Sequence, residues 1–570
     1  MMRAGDLFMR GLEAHGTTHI FGNPGTTENG VLDRLADHPG LDYVTVLHEG
    51  VAVAAAAYHA LATGRTGIVN VHITPGLGNA IGLMFGALKA EAPVIITAGQ
   101  QDTRLQHRRP LFHHDMVAMA RPVTKWAGEP QSGADVGPML EKAFAIANTP
   151  PFGPVFLSLP VNVLEEEVED TPMGVARRAV SLASAEAIAD CAKLLSNAKA
   201  PAIVAGDGAA MPGGPEALRA LVEKSGAALF REPLHVHSVF PSSHSNFRGR
   251  LPLDAGNIAK VLAPFDTVIL IGGQFFEEMW VNPVSPVPDT ATIIRLENNA
   301  ERLRSYFRVD CPMLGDIAPT LSAIAAELDR AIDTQAVSER NAALADGSKT
   351  LRQSVADQLN ALPDTAPMSP MRAMHEITQG LPKNAVVIEE ALTAGLVNVG
   401  SGGDAIVGGA MYSSLELGFS FEKPGDLFGG RGGGLGQGMA GALGLQIANP
   451  DRRVAALIGD GSGMYAIQSL WTAAHRKLPI LFFIFSNREY RVLKHNLDIH
   501  RMRFGLDMQK PYPHMDLSDP PLDYSALAQG LGVQARHVTT PDELRTAIEQ
   551  ALTLEAPCLI DIEITGKDQP

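Results

Sequence analysis

VAALIGDGSGMYAIQSLWTAAHRKLPILFFIFSN, residues 454–487, is the stretch on which the fold turns. An apolar run ends in Gly459-Asp460-Gly461-Ser462, a helical segment follows, and a second apolar run, LPILFFIF, delivers Ser486 and Asn487. Two strands joined by a helix make a right-handed crossover, so both strand ends fall at one edge of a parallel sheet, where open α/β folds bind ligands. Asp460 and Asn487 therefore converge.

The residue types at that point suit a metal and a diphosphate. Asp460 offers a carboxylate and Asn487 an amide carbonyl, the hard oxygen donors that Mg2+ takes alongside phosphate oxygens. Gly459 and Gly461 let the backbone come close to an anion, and Ser462 opens a helix whose N-terminus attracts one. Taken alone, GDGS also reads as a tight strand-to-helix turn without a ligand.

The whole chain narrows the function classes. Its 570 residues exceed one hydrophobic core and predict three domains, 1–180, 181–345 and 346–570. A composition of 45% apolar and 19% charged residues is that of a globular protein. A net charge of −16 gives no reason to bind nucleic acid or an anionic membrane. Cys191, Cys311 and Cys558 form no metal or redox spacing, MMRAGDLFMRGLEAHG lacks the long apolar core of a signal peptide, and no run reaches the roughly 18 apolar residues of a membrane span. A cytoplasmic enzyme is expected.

In the first third, helices alternate with short apolar runs, which predicts a doubly wound parallel sheet. Thr26, Glu49 and His72 stand at successive strand ends. Singly, a Glu there reads as a helix N-terminal acid and a His as structural. The middle third alternates in the same way and predicts a second, Rossmann-like sheet. Its glycine-rich GDGAAMPGG does not make the GxGxxG fingerprint, so no FAD is expected. The last third begins with NAVVIEEALTAG and continues into FGGRGGGLGQGMAGALG, residues 428–444, a glycine density that predicts a packed loop before a helix rather than a linker.

Together, FGNPGTTE, LHEG, NVHITPGLGNAIG, the GDGS stretch and Asn487, 27 residues after Asp460, resemble the thiamine-diphosphate (ThDP) enzymes. The match is to the 2-oxo-acid decarboxylase and acetolactate synthase-like superfamily, closest to benzoylformate decarboxylase. APVIITAGQQ, RPVTKW and GPVFLSLP extend it through the first domain. The resemblance implies pyrimidine-binding, central and diphosphate-binding domains, with ThDP held through Mg2+, or Ca2+ in its place.

It also implies roles. Glu49 hydrogen-bonds the pyrimidine ring so that the cofactor's own amine can take the thiazolium C2 proton. Thr26 stands where a family serine binds the substrate carboxylate, and His72 moves protons. Gly433 faces the pyrimidine amine, Leu435 wedges beneath the cofactor, and Thr393 and Tyr490 contact it. Asp460, Asn487 and the Glu489 carbonyl are the metal ligands. Phe275 and Met279, with Gln274 and Phe276 beside them, and Val492, Leu493 and Asn496 line the substrate pocket. His113 and His114 either match the paired histidines of pyruvate decarboxylases or belong to a surface basic cluster.

Three departures are visible. Ser486 replaces the first asparagine of the diphosphate signature, Asn496 stands where an aromatic is expected, and IGGQFFEEMW lacks the family's second catalytic histidine, with Met279 near its place. The expected activity is decarboxylation of a 2-oxo acid to an aldehyde. A carboligase or lyase of 2-hydroxyketones and a non-catalytic ThDP-binding protein are the alternatives. A homodimer with shared sites, assembled into a homotetramer, is implied by resemblance alone.

Overall fold

The computed structural model describes residues 1–174, 179–303, 307–330, 332–391, 406–407, 410–411 and 414–566. Three sheets organise them, as the alternating sequence predicts. The first runs 42–45, 19–23, 67–71, 94–100, 155–160, 126–128, all parallel. The third runs 427–429, 386–390, 454–459, 481–486, 558–563, 534–538, again all parallel. Numbered along the chain within each domain, both sheets have the order 2-1-3-4-6-5. The crevice between their first and third strands is a topological switch point.

The central sheet has six parallel strands in the order 311–314, 292–297, 267–271, 201–205, 228–231, 247–250. The antiparallel pair Ile406–Val407 and Ala410–Met411 extends it. A single helix, Thr334–Asn360, leads from this domain toward the third sheet.

The first and third domains share one core. Helix Glu49–Thr63 is buried from Glu49 to Ala60 and packs along helix Gln437–Ala448, itself buried from Gln437 to Gln446. Small residues explain how close they come: a Cβ on Gly444 would overlap the Ala55 carbonyl, and one on Gly441 would meet the Tyr58 ring. Tyr58, fully inside, donates its hydroxyl to the Gly429 carbonyl at 2.7 Å. A helix apolar on every face is a core helix, which is what VAVAAAAYHALAT encodes. All three cysteines are buried and free. Among the described residues no helix is long and apolar enough to cross a membrane.

Candidate active site

The strand His19–Asn23 brings Asn23 to the crevice of the first sheet, and Glu49 begins the helix that follows the next strand. Glu49 is 5% exposed; its two carboxylate oxygens accept from Asn23 Nδ2 and Asn79 Nδ2, each at 3.0 Å. Gly76 leaves the room, since a Cβ there would stand 3.0 Å from Glu49 Oε1. Neutral amides orient this carboxylate, and no cation among the described residues pairs with it.

Gly76 and Asn79 lie in the first two turns of helix Ile73–Lys89, whose N-cap is His72. The His72 ring therefore shares the crevice with Glu49. Its Nδ1 is 2.9 Å from Oε2 of Glu28 and 3.4 Å from the Thr27 hydroxyl. Gly25 packs so tightly on the ring that any Cβ would overlap it. Ile73 turns the corner at φ 29°, rare for a β-branched residue, and donates its N–H to Glu28 at 3.2 Å.

Glu28 is the functional candidate that sequence reasoning missed. Its carboxylate is fully inside the protein and collects the N–H groups of Gly25, Ile73 and Gly99, the Thr27 hydroxyl and the His72 ring. The one signal for it was its place at the end of NPGTTE. Thr26, on the same short turn, is exposed.

His113 is half-buried with Nδ1 3.2 Å from Gln100 Oε1, and the exposed His114 offers its carbonyl to Gln100 Nε2 at 3.2 Å. Phe112, between these histidines and His72, sets its ring 5.6 Å from that of His72, edge to face.

On the third sheet, Asp460 begins the short helix after strand Val454–Gly459. Its carboxylate accepts the Gly461 N–H and the Arg488 N–H, both at 2.7 Å. Arg488 reaches it by adopting φ 56°, while its guanidinium pairs with Glu563 at 2.9 Å. Burial pushes the Asp460 carboxyl up to about 6, and no cationic side chain among the described residues pairs with it. A buried carboxylate left with only backbone donors is what a divalent cation would satisfy.

Asn487 follows the next strand and accepts the Glu489 N–H at 3.1 Å through Oδ1. The Glu489 side chain pairs with Lys494. Among the described residues no three His, Cys, Asp or Glu side chains form a metal group. The expected metal ligands, one carboxylate with an amide and a peptide carbonyl, would not form such a group. The residues present thus fit a metal-bound diphosphate. Ser462 Oγ turns to the Gly459 carbonyl at 3.3 Å, and Tyr490 lies on Gly461, where a Cβ would come within 2.6 Å of its ring. Tyr524, fully buried, donates its hydroxyl to the Asp460 carbonyl.

The glycine-rich segment is a packed loop. Gly432, Gly433 and Gly436 have φ of 80°, 69° and 92°, and around Gly433 there is open space. Leu435 is half-buried. Buried Glu390 accepts the N–H groups of Gly436 and Gly438 at 2.7 and 2.8 Å and ties the loop to the first strand; burial pushes its carboxyl up to about 7. Thr393 lies outside the described residues.

The segment after Asn487 is a 14-residue helix, Arg491–Phe504, longer than the short helix expected. On it Leu493 is exposed, and Val492 and Asn496 are half-buried. Phe275, by contrast, is 4% exposed within the central domain, with Arg295 over its ring at 5.5 Å. Phe275 and Phe276 hold φ of 24° and 55°. Met279 is 61% exposed.

Comparisons with known proteins agree with this geometry. Family models described as thiamine pyrophosphate enzyme N-terminal TPP binding, central and C-terminal TPP binding domains match residues 2–120, 188–324 and 408–562. Benzoylformate decarboxylase of Pseudomonas aeruginosa is 32% identical over 564 residues, covering 97% of each chain. Acetolactate synthase isozyme 3 large subunit of Escherichia coli is 26% identical, covering 97% of this chain and 92% of its own. The solved Rhodococcus jostii RHA1 thiamine diphosphate-dependent 4-hydroxybenzoylformate decarboxylase is 26% identical, covers 100% of both chains and superposes with a TM-score of 0.85. With its three domains, its two strand-end crevices and these relatives, the chain belongs to the thiamine pyrophosphate enzyme family.

Proposed function

We propose that the protein catalyses the ThDP- and Mg2+-dependent, non-oxidative decarboxylation of a 2-oxo acid to an aldehyde. The observation that carries this reading is the buried Glu49 carboxylate, oriented by Asn23 and by Asn79 of the helix that His72 caps, with His72 Nδ1 tied to Glu28. The likeness to decarboxylases of benzoylformate and 4-hydroxybenzoylformate along nearly the full chain supports it.

Bound ThDP supplies a nucleophilic carbon and a sink for the electrons that the departing carboxylate leaves behind. Around it the residues divide the work. Glu49 holds a proton at the pyrimidine ring, with Asn23 and Asn79 fixing its orientation. Asp460, Asn487 and the Glu489 carbonyl hold the metal and, through it, the diphosphate. Gly433, Leu435, Thr393 and Tyr490 shape the cofactor's seat. Thr26 orients the substrate carboxylate, and His72 Nε2 delivers or takes the proton at the reacting carbon. His113 and His114 cover the absence of a histidine near Met279, and Met279, Val492, Leu493 and Asn496 bound the acyl side.

Glu49 and Asp460 act on one cofactor from the first domain of one subunit and the third domain of another, so the working unit is a homodimer, assembled as a homotetramer in the cytoplasm. Sedimentation of the active species checks this; an active monomer excludes it. The likeness to acetolactate synthase favours a second reading, a carboligase making or cleaving 2-hydroxyketones. Incubation with 2-oxo acids graded in size, with carbon dioxide and products followed by mass spectrometry, separates the two. Cleavage of hydroxyketones without carbon dioxide release from any oxo acid excludes the decarboxylase.

A further inference from the structure

The central sheet, counted along its own six parallel strands, has the order 6-5-4-1-2-3, that of dinucleotide-binding sheets. Its switch point lies between Pro201–Ala205 and Thr267–Ile271, and from these ends come Gly206-Asp207-Gly208 and Gly272-Gly273. An α/β sheet of this order presents a ligand crevice there. In this protein the crevice holds a side chain from its own third domain.

That side chain is Arg431, 3% exposed. Its Nε donates to Glu277 Oε2 at 3.2 Å. Nη1 donates to Asp207 Oδ2 at 2.8 Å and Glu232 Oε1 at 3.0 Å, and Nη2 to Glu232 Oε2 at 3.0 Å and Glu277 Oε2 at 3.1 Å. A guanidinium has five N–H groups, and here five hydrogen bonds reach three carboxylates, one of them gripped through both oxygens. Lys89 of the first domain joins them, donating to Glu277 Oε1 at 3.2 Å. Asp207 further accepts the N–H of Val236, whose carbonyl accepts the Gly429 N–H at 2.9 Å.

Arg431 stands two residues before Gly433 and four before Leu435. Its carbonyl accepts Gln437 Nε2 at 2.9 Å, and the same amide donates to the Gly434 carbonyl at 2.7 Å. Glycines give the loop backbone freedom, so something outside it must fix where it sits. We propose that Arg431 is a positioning residue: docked as the internal ligand of the central domain's switch-point crevice, it fixes the glycine-rich loop in the form that receives ThDP. This rests on reading that loop as the cofactor's seat.

The test uses full-length Arg431→Lys and Glu277→Gln, the latter removing the charge from a partly exposed carboxylate that takes two of the five bonds. Lysine keeps the charge but loses the fork, so the ThDP dissociation constant, read by calorimetry with Mg2+, rises about tenfold for Arg431→Lys and less for Glu277→Gln. Amide exchange in the cofactor-loaded protein speeds up over residues 427–437 and stays unchanged in strand 454–459. At saturating ThDP, kcat falls while KM for the 2-oxo acid is unchanged. Wild-type affinity and loop exchange in both variants overturn the proposal, and so does faster exchange that includes strand 454–459. If Arg431→Lys does not fold, Glu277→Gln decides. Binding and exchange need no oxo acid, so failure of the decarboxylase reading leaves these two readouts intact.

Discussion

His72 Nδ1 lies 2.9 Å from Oε2 of Glu28, a carboxylate already accepting from three backbone N–H groups and a hydroxyl. Every other partner of Glu28 is a donor, so hydrogen-bond accounting makes the imidazole nitrogen a donor as well. His72 is thereby held with Nδ1 protonated and Nε2 free for chemistry, the arrangement that its proposed role requires. Glu28→Gln breaks this assignment, because an amide nitrogen cannot accept. With saturating cofactor, kcat/KM should fall by roughly 10²-fold, the lower range of what a positioned proton transfer contributes. Steady-state kinetics beside a melting curve check this; unchanged kinetics in a folded variant refute the orientation.

Glu49→Gln tests the other acid of the crevice. An amide fits the space between Asn23 and Asn79 but does not carry the proton relay. The variant should fold and bind ThDP, yet lose more activity than any other single side-chain change proposed for this site. Slow hydrogen–deuterium exchange at the C2 position of the bound cofactor, measured by NMR after acid quench, is the expected signature. Wild-type exchange contradicts the role.

Asp460 gives a pH dependence whose sign can be worked out. Burial raises its carboxyl from an ordinary value near 3.8 to about 6, so the metal-free folded state binds the proton more tightly than the unfolded chain. Its contribution to stability is present below the unfolded value and is lost as pH rises through about 6. That difference corresponds to ~3 kcal/mol. Metal binding needs the carboxylate, so Mg2+ affinity should weaken about tenfold for each pH unit below 6. Magnesium titrations with ThDP at pH 5 and 7.5, together with metal-free melting curves, test both halves. Equal Mg2+ affinity at the two pH values excludes Asp460 as the ligand.

Gly444→Ala places a methyl group against the Ala55 carbonyl where helices Glu49–Thr63 and Gln437–Ala448 touch. Backbone against backbone leaves no side chain to move aside. Overpacking of this kind costs roughly 1–3 kcal/mol, so the denaturation midpoint should drop with an unchanged slope. Wild-type stability would mean that the two helices are not in this contact.

Much of this was legible in the sequence because its local signals agreed. Alternating strand and helix patterns gave three doubly wound domains, and the GDGS-to-Asn487 spacing brought Asp460 and Asn487 to adjacent strand ends. What escaped was anything set by side chains meeting between elements far apart in the sequence. Glu28 looks like one more acid in a turn, and Arg431 like a charge in a glycine run. Only folding shows the first inside a cage of donors and the second inside another domain's crevice. Phe275 and Phe276 followed an apolar strand and read as pocket walls, yet their left-handed backbone turns both rings into the central core. The 14-residue length of helix Arg491–Phe504 was likewise hidden, because few of its side chains are buried and its apolar spacing is weak.

The contact between Ala55 and Gly444 has a mechanical consequence. One helix of this pair starts at Glu49, and the other starts where Glu390 pins the glycine-rich loop, with no layer of flexible side chains between them. Gly50 of the first helix and Gly434 of the loop both stand against the Leu83 side chain, so the acid and the loop are close neighbours within one subunit. Where two subunits share their sites as proposed, the acid and the loop belong to two separate cofactors, and a shift of the loop at one would press on the acid at the other. Occupancy of the two sites would then be felt through the rigidity of a single subunit.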